Sequence, residues 1–324
     1  MQSIYQLVET QFEAVNTLIL QQLHSQIALV EDISQYLATG GGKRVRPLVV
    51  LLIASALDDA DNPCQVELAT AIEFLHTATL LHDDVVDVSS LRRGKPTANA
   101  NWGNASSVLV GDFVYSRAFQ LMVSVGNLKV MQVLSDTTVK IAEGEVQQLA
   151  EIGNLALDEP TYFDVIERKT AQLFAGACES AALVAGADTA ISEAARDYGK
   201  HLGLAFQLVD DYLDYAGDTE ALGKNVGDDL AEGKLTLPLI EALRQTREND
   251  AEAHTELSTA IANKDLSKIS TIVEIVRACH ALDYTREAAK RHAELAASRL
   301  EVLPSSPLRD ALSELCEFVV QRSF

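Results

Sequence analysis

Long apolar segments rich in Ala, Leu, Val, Glu and Gln alternate with short polar ones along this chain of 324 residues. Such residues favour helices, and residues 1–38 have the apolar spacing of one or two amphipathic helices. The turn Gly40-Gly41-Gly42 ends that segment, and Pro47 suits the first turn of the next helix. Further helices are predicted at 48–57, 66–88, 106–125, 128–150, 161–185, 191–215 and, with interruptions, from 237 to the end.

Two long polar loops interrupt this pattern, over residues 89–105 and 216–234. The first contains Arg92-Arg93-Gly94-Lys95, and the second contains Gly223-Lys224. Loops of this length in a compact protein often have a function. Because no linker separates autonomous blocks, we predict a single all-α domain over residues 1–324, built as one large helical bundle.

Composition and charge exclude several classes of protein. The formal net charge is −21, so a nucleic acid would be repelled over most of the surface and is not expected as a partner. The longest uncharged apolar run, residues 48–57, is too short to span a bilayer, and no secretory signal is expected. The four cysteines are scattered without the spacing of a zinc site or a disulfide framework, which favours a reducing cytoplasm.

Three carboxylates in the same arrangement occur twice, in Asp83-Asp84-Val85-Val86-Asp87 and in Asp210-Asp211-Tyr212-Leu213-Asp214. Each motif lies in an apolar stretch near the end of a predicted helix, where unpaired carboxylates are costly. Residues i and i+4 of a helix share a face at about 6 Å, so Asp83 would lie beside Asp87 and Asp210 beside Asp214. Like charges so placed need a cation between them. Carboxylate oxygens completed by substrate phosphates suit Mg²⁺ better than Zn²⁺ or Ca²⁺.

Positive charge is concentrated beside the glycine turn and after the first acidic motif. Lys43, Arg44 and Arg46 follow three glycines, where backbone N–H groups and cationic side chains can hold phosphate together. Alone, this cluster would be interpreted as a solvated turn. Together with Arg92 and Arg93 it indicates a second phosphorylated ligand, held directly by basic side chains rather than through a metal.

The helix that carries the first acidic motif also contains a histidine. His76 lies seven residues before Asp83 and therefore returns to nearly the same angular position two turns below. A lone histidine in an apolar helix is usually a core residue. Its alignment with Asp83 makes a role in binding equally well supported.

Taken in order, these motifs resemble those of the trans-polyprenyl diphosphate synthases. The ordered combination, over about residues 40–240, is highly specific, whereas one acidic motif alone would be weak. Segments 76–81 and 111–120 are most similar to the bacterial octaprenyl diphosphate synthases that make the ubiquinone side chain. Besides the two acidic motifs, the resemblance rests on Gly41-Gly42-Lys43-Arg44-Val45-Arg46-Pro47, Leu81-His82, Arg92-Arg93-Gly94, Val110-Gly111-Asp112, Lys169-Thr170, Phe206-Gln207-Leu208-Val209 and Gly223-Lys224.

The resemblance implies an isoprenoid-synthase fold, a helical bundle around a central hydrophobic cavity, and a role for each matching residue. Asp83, Asp87 and Asp210 would hold Mg²⁺, three ions per site with substrate bound, and Asp84, Asp211 and Lys169 would also be catalytic. Isopentenyl diphosphate would be bound by Lys43, Arg46, His76 and Arg93. The allylic diphosphate would be bound by Arg92, Lys169, Thr170, Gln207 and Lys224.

The implied reaction needs no side-chain nucleophile. Metals and cations stabilise the departing diphosphate, the allylic C–O bond ionises, the alkene of isopentenyl diphosphate attacks C1, and proton loss leaves a chain longer by one isoprene unit. A dry apolar cavity must protect the cation from water. Farnesyl diphosphate is the expected primer and all-trans-octaprenyl diphosphate the expected product.

Product length depends on the helix below the first motif. In the family, bulky aromatics one turn before that motif stop the product at 15 or 20 carbons, whereas this chain has Ala78 and Thr79. The upper channel is therefore predicted to be open. Its floor would be deeper, with Phe119, Met122 and Val123 as candidates, although each would by default be a core residue. Eight isoprene units follow from the resemblance, and six to ten remain open.

Three other interpretations are disfavoured by the residues present. A class I terpene cyclase needs no second diphosphate site, so Lys43, Arg46 and Arg93 disfavour it. A non-catalytic partner subunit of an active synthase usually loses the acidic motifs, and both are intact here. A helical protein with solvated acidic faces would not flank its carboxylates with apolar residues.

The resemblance further implies a homodimer with a site in each subunit. Because the product is a lipid that bears a diphosphate, transient membrane contact during release is also expected. One position departs from the family: Leu235 stands where proline is common, which could loosen the loop that covers the second motif.

Overall fold

The computed structural model describes residues 1–57, 62–216 and 227–322, and almost every segment within these ranges is helical. The strands found there form one small antiparallel hairpin, β1 (Leu91–Arg92) with β2 (Lys95–Pro96). The predicted all-α class is confirmed. The described α-helices, numbered in chain order, are α1 (Gln2–Gln6), α2 (Glu9–Leu23), α3 (Ala28–Thr39), α4 (Val45–Leu57), α5 (Pro63–Val86), α6 (Ala98–Trp102), α7 (Asn104–Ser124), α8 (Leu128–Ala150), α9 (Glu159–Ile166), α10 (Gln172–Val184), α11 (Thr189–Ala216), α12 (Asp228–Glu232), α13 (Leu237–Asn249), α14 (Ala251–Ala262), α15 (Ile269–Ala278), α16 (Ala281–Arg299) and α17 (Pro307–Gln321).

The residues group into two compact units. Unit one consists of Met1–Thr137, Leu173–Gly199 and Arg299–Leu315, and unit two of Thr138–Gln172, Lys200–Ser298 and Cys316–Phe324. One domain over the whole chain therefore stays a prediction. Among the described helices, none is both long and apolar enough to cross a membrane.

The core of unit one is built around α4. Its residues from Leu48 to Ile53 are each 0% exposed, and a helix that is apolar on all sides belongs at the centre of a core. It packs on α5, which packs in turn on α7. A Cβ on Gly111 of α7 would lie 2.5 Å from Nε2 of His82 on α5, so a larger residue at position 111 would displace the His82 ring.

Local signals explain where the elements differ from the predicted ranges. Helix α5 begins three residues early because the Asn62 side chain accepts a hydrogen bond from the amide of Cys64 and Pro63 occupies the first turn. The polar segment after the first acidic motif contains the β1–β2 hairpin and α6 rather than only loop. Arg93 and Gly94 form the hairpin turn with φ of 52° and 73°, and a positive φ at both central residues is the requirement of a type I′ turn.

Unit two has its own apolar core, formed largely by the second half of α11 and by α13 to α16. Leu235, the position that departs from the family pattern, is 5% exposed and belongs to this core. The amide of Lys234, next to it, donates to the carbonyl of Asp229 at 2.8 Å. The segment before α13 is therefore anchored by a buried side chain and a backbone hydrogen bond.

Unit two also contains a partly buried pair of histidines, from which we predict that the stability of the protein depends on pH. Nδ1 of His201 lies 3.0 Å from Nδ1 of His292, and burial, assisted by His201, Arg291 and Lys200, lowers the pKa of His292 to about 4. Folded His292 stays neutral down to that pH, whereas in the unfolded chain it gains a proton below about pH 6.5. Stability should therefore fall as the pH drops from 7 to 5, by about 1 kcal/mol after allowance for partial exposure.

Urea unfolding of the wild type and of His292→Gln at pH 7 and pH 5 measures this contribution. We expect the wild type to lose about 1 kcal/mol more than the variant between the two pH values. Equal losses in both proteins would show that His292 does not contribute.

Candidate active site

The first acidic motif occupies the last turn of α5. Asp83 and Asp87 are half-buried, and the amide of Asp87 donates to the carbonyl of Asp83 at 2.8 Å, so the two residues occupy successive turns of one helical path. Asp84 is only 4% exposed and accepts hydrogen bonds from Nε and Nη2 of Arg92, at 2.8 and 2.7 Å. Burial raises the pKa of Asp84, and Arg92 opposes that shift. Asp84 therefore ties α5 to the β1–β2 hairpin.

The glycine turn and the hairpin are also joined to each other. Nη1 of Arg93 donates to the carbonyl of Gly41, and Nζ of Lys95 donates to the carbonyl of Thr39 at 3.3 Å. A Cβ on Gly42 would lie 2.7 Å from Nη1 of Arg93. The two basic segments predicted from the sequence thus form one continuous structure, in which a side chain at position 42 would displace the Arg93 guanidinium.

A cavity of about 110 Å³ lies beside these segments in unit one. From the set predicted for isopentenyl diphosphate, His76 and Arg93 line it, together with Arg44. Lys43 and Arg46 are not among its lining residues, and the Arg46 guanidinium lies over the Phe174 ring, 4.3 Å from the centroid. The remaining wall is mainly apolar and includes Ile19, Leu23, Leu37, Phe74, Leu80 and Leu81.

Two ionisable residues on α5 face this basic region. Burial, then the charges of Arg46, Arg93 and Arg92, lowers the pKa of His76 well below its usual value, so its imidazole is neutral at physiological pH. Glu73, which the sequence analysis missed, also lines the cavity. Burial raises the pKa of Glu73, whereas nearby arginines lower it. Its position three residues before His76 was the available signal, since i and i+3 share a helix face.

In unit two, the three carboxylates of the second motif have different partners. Asp210 Oδ1 accepts from Nη2 of Arg322 at 2.6 Å, while the same nitrogen donates to the carbonyl of Phe206 at 2.8 Å. Asp214 accepts from the amides of Asp228 and Asp229 at 3.1 and 3.2 Å, which fixes the start of α12. Burial raises the pKa of Asp214 to about 7. Arg322 could not have been found from sequence spacing, because it lies 112 residues from Asp210.

Asp211 belongs to a chain of hydrogen bonds that includes two predicted substrate residues. Thr170 Oγ1 donates to Gln207 Oε1 at 2.8 Å, and Gln207 Nε2 donates to Asp211 Oδ1 at 2.7 Å. The hydroxyl of Tyr162, a residue that the sequence analysis missed, donates to Asp211 Oδ2 at 2.5 Å. Asp211 is 3% exposed, and burial followed by the charge of Asp229 raises its pKa well above the usual value.

Lys169 and Thr170 lie on a π-helical turn, Glu167–Ala171, which interrupts the helix predicted at 161–185. Such turns are frequent at functional sites. Lys169 Nζ donates to Glu145 Oε2 at 2.8 Å and to Gln148 Oε1 at 2.7 Å. A cavity of about 100 Å³ brings together Lys169, Thr170, Gln207 and Asp211, with Tyr162 and Lys234 also in its wall. Lys224 lies outside the described residues.

The positions predicted to set product length lie in unit one. Ala78 is 0% exposed, and the half-buried Thr79 donates its hydroxyl to the carbonyl of His76 at 2.8 Å. Met122 is 1% exposed, and the half-buried Phe119 packs on Tyr115 with 5.1 Å between ring centroids. Val123 is 63% exposed, so its side chain is not enclosed within the unit. Each of these roles stays a prediction.

The carboxylates suit a metal that arrives with a phosphorylated ligand. Among the residues that the structure describes, no group of three or more His, Cys, Asp or Glu side chains could hold a metal ion by itself. Asp83 and Asp87 nevertheless provide two hard oxygen donors on successive turns. Protein-bound Mg²⁺ commonly takes only one or two carboxylates and completes its shell with water and substrate phosphates. The donor set therefore fits Mg²⁺.

Comparison with known proteins assigns the chain to a family. The sequence profile described as Polyprenyl synthetase matches residues 27–278. The chain belongs to the polyprenyl synthetase family. Octaprenyl diphosphate synthase of Escherichia coli (strain K12) is 46% identical to this synthetase over 323 residues, which is 99% of each chain.

Two further proteins resemble this synthetase over almost its whole length. All-trans-nonaprenyl-diphosphate synthase (geranyl-diphosphate specific) of Rhodobacter capsulatus is 43% identical over 321 residues, 99% of this chain and 98% of that one. A solved polyprenyl synthase from Caulobacter crescentus CB15, complexed with calcium and isoprenyl diphosphate, is 45% identical with a TM-score of 0.94, covering 100% of this chain and 98% of that one. The predicted activity, a polyprenyl diphosphate synthase acting as a long-chain trans-prenyltransferase, is confirmed.

Proposed function

We propose that this synthetase condenses isopentenyl diphosphate onto an allylic diphosphate, with farnesyl diphosphate as primer, to make all-trans-octaprenyl diphosphate for a quinone side chain. The observation that carries the proposal is the arrangement at the end of α5. A carboxylate pair, Asp83 and Asp87, is followed by a hairpin whose Arg93 is bonded to the basic glycine turn. Such a site offers metal ligands for one diphosphate and direct cationic contacts for another.

Asp83, Asp87 and Asp210 are the proposed ligands of Mg²⁺, with three ions per site when substrate is bound. Family membership and the calcium-bound relative support a divalent metal. When bound, the metal supplies charge neutralisation for the departing diphosphate. Asp84 and Asp211 act differently, since their carboxylates are occupied by Arg92 and by Tyr162 and Gln207. They position the segments that bear the substrate-binding residues.

Basic and polar side chains bind the two substrates. Lys43, Arg46, His76 and Arg93 bind isopentenyl diphosphate, with neutral His76 able to donate or accept a hydrogen bond. Arg92, Lys169, Thr170, Gln207 and Lys224 bind the allylic diphosphate. The Thr170–Gln207–Asp211 chain of hydrogen bonds supports this role, because it fixes the orientation of two of these side chains before substrate arrives.

Eight isoprene units are the proposed length, and small Ala78 and Thr79 leave the upper channel open. Identity of 46% to an octaprenyl synthase supports eight units, while 43% identity to a nonaprenyl synthase keeps neighbouring lengths from six to ten as the alternative. A non-catalytic regulatory subunit is disfavoured because both acidic motifs are intact.

A homodimer is the proposed assembly. Val139, Val146 and Leu149 share one face of α8 and are 56, 67 and 55% exposed. An exposed apolar stripe of this kind is typical of an interaction surface, and a second copy of the chain is the proposed occupant. The four free cysteines suit the cytoplasm. Transient membrane contact during product release also remains part of the proposal.

Gly42→Ala is expected to raise the KM for isopentenyl diphosphate about tenfold, because the added Cβ displaces the Arg93 guanidinium, which lies 2.7 Å away. The KM for farnesyl diphosphate should change less. Gly186→Ala, in the turn after α10, is the matched control: it has an unfavourable φ of +75° but nothing within 4 Å of its Cβ, so it should cost stability and alter the KM for isopentenyl diphosphate less than threefold. Equal KM values in the two variants would contradict the role of Arg93.

The proposed function is tested by incubating purified protein with labelled isopentenyl diphosphate and farnesyl diphosphate, with Mg²⁺ or with EDTA, and counting extractable labelled lipid. We expect incorporation that depends on Mg²⁺. Without incorporation at any protein concentration, the enzyme proposal fails. Incorporation of label in the presence of EDTA would contradict the proposed requirement for a divalent metal.

A further inference from the structure

The first two helices hold the glycine turn on which the proposed binding of isopentenyl diphosphate depends. The Tyr5 hydroxyl on α1 donates to the carbonyl of Lys43. Nη1 of Arg44 donates to Oδ1 of Asn16 on α2. The partners are 38 and 28 residues apart in the sequence, so neither contact follows from local helix formation.

Helix α1 is anchored firmly enough to act as a support. Ile4 on α1 and Val8, two residues after its end, are each 1% exposed, and the Tyr5 ring packs edge-on against Phe12 with 4.9 Å between ring centroids. Burial raises the pKa of Tyr5, and the charge of Glu73 raises it further. The hydroxyl therefore keeps its proton at neutral pH and remains a donor.

The turn needs support because part of its backbone is strained. Arg44 has a φ of 44°, in the left-handed region that residues other than glycine seldom adopt. Such a conformation persists only where surrounding contacts fix it. The bond to Lys43 fixes the peptide that precedes Arg44, and the bond to Asn16 fixes the Arg44 side chain. Together they set the direction of the adjoining basic residues.

We propose that Tyr5 and Asn16 are positioning residues that hold the Gly40–Arg44 turn in the geometry that binds isopentenyl diphosphate. The inference rests on the proposed function. Both residues act through the turn, since the Tyr5 hydroxyl bonds to its backbone and the Asn16 oxygen to its arginine. Removal of the Tyr5 hydroxyl or of the Asn16 oxygen should therefore weaken the binding of isopentenyl diphosphate and leave the binding of the allylic diphosphate unchanged.

Tyr5→Phe tests this, because it removes the hydroxyl and keeps the ring that packs on Phe12. Binding of isopentenyl diphosphate is measured by calorimetry without allylic substrate, so that no condensation takes place. We expect its Kd to rise about three- to tenfold, as for the loss of one hydrogen bond, while kcat and the KM for farnesyl diphosphate stay within twofold. Asn16→Ala should act in the same direction, and Asn16→Asp, which keeps an acceptor oxygen for Arg44, should restore binding.

Tyr284→Phe is the matched control in unit two, where the lost hydroxyl bonds to Glu159 at 2.8 Å. It should leave the Kd for isopentenyl diphosphate unchanged. If the wild type elongates farnesyl diphosphate but Tyr5→Phe binds isopentenyl diphosphate as tightly as the wild type, the inference is wrong and the proposed function stands. A wild type that neither binds isopentenyl diphosphate nor elongates overturns the proposed function itself. If Tyr5→Phe raised the Kd for isopentenyl diphosphate and the KM for farnesyl diphosphate equally and also lowered Tm, the substitution would have destabilised the fold in general. That result would also contradict the inference.

Discussion

Asp83→Asn is expected to lower the rate of chain elongation about a thousandfold, because the amide removes one of the two charges that the proposed Mg²⁺ site offers at the end of α5. Asp83 is half-buried, and its carbonyl accepts the Asp87 amide at 2.8 Å through the backbone, which the substitution leaves intact. The fold should therefore survive. Steady-state kinetics across a range of Mg²⁺ concentrations should show both a lower kcat and a higher Mg²⁺ requirement.

Asp136→Asn provides the matched control for loss of one negative charge from unit one. Asp136 is exposed on α8, where its Oδ1 accepts a hydrogen bond from Nε2 of Gln132 at 2.8 Å. We expect its kinetics to match the wild type. If the kcat of Asp83→Asn were within threefold of the wild-type value, the proposed role of Asp83 as a metal ligand would be contradicted.

Ala78→Tyr is expected to shorten the product from 40 carbons to 15 or 20. Ala78 is 0% exposed on α5, so a phenol ring placed there must occupy space on the route proposed for the growing tail. Inserting such a ring into a packed region costs about 1–3 kcal/mol, and Tm must therefore be measured beside product length. Chromatography of dephosphorylated products reports the length.

Ala78→Ser is the control that distinguishes the effect of side-chain volume from the effect of any substitution at this position. Serine adds one oxygen atom and should leave the product length unchanged. If a folded, active Ala78→Tyr enzyme still makes the full-length product, the tail does not pass Ala78. The proposed floor of the channel near the end of α7 would then also need revision, because the Val123 side chain there is exposed.

Helices were the most predictable part of the fold because each depends on a long local pattern. The range 128–150 was predicted as observed, whereas α5 begins three residues before its predicted range, where a capping asparagine and a proline set its start, and ends two residues before the predicted end. The β1–β2 hairpin was missed because its strands have two residues each, too few for any period. The π-helical turn at Glu167–Ala171 interrupts a sequence that is otherwise ordinary for an α-helix.

In the candidate site, the sequence identified residues whose chemistry is concentrated in short motifs, and it missed their supports. Asp84 and Asp211 were correctly expected one step round the helix from their neighbours, yet their partners could not be named. Tyr162 lies 49 residues from Asp211, and Tyr5 lies 38 from Lys43. Such pairs are brought together by folding of the unit and leave no periodic signal in the chain.

Sizing the product of the purified wild-type protein tests the proposed function most directly. Labelled isopentenyl diphosphate and farnesyl diphosphate are incubated with enzyme and Mg²⁺, and the dephosphorylated lipid is separated against prenyl alcohol standards. We predict a main product of eight isoprene units. Products that stop at 15 to 20 carbons, or no elongated product at all, would contradict the proposal.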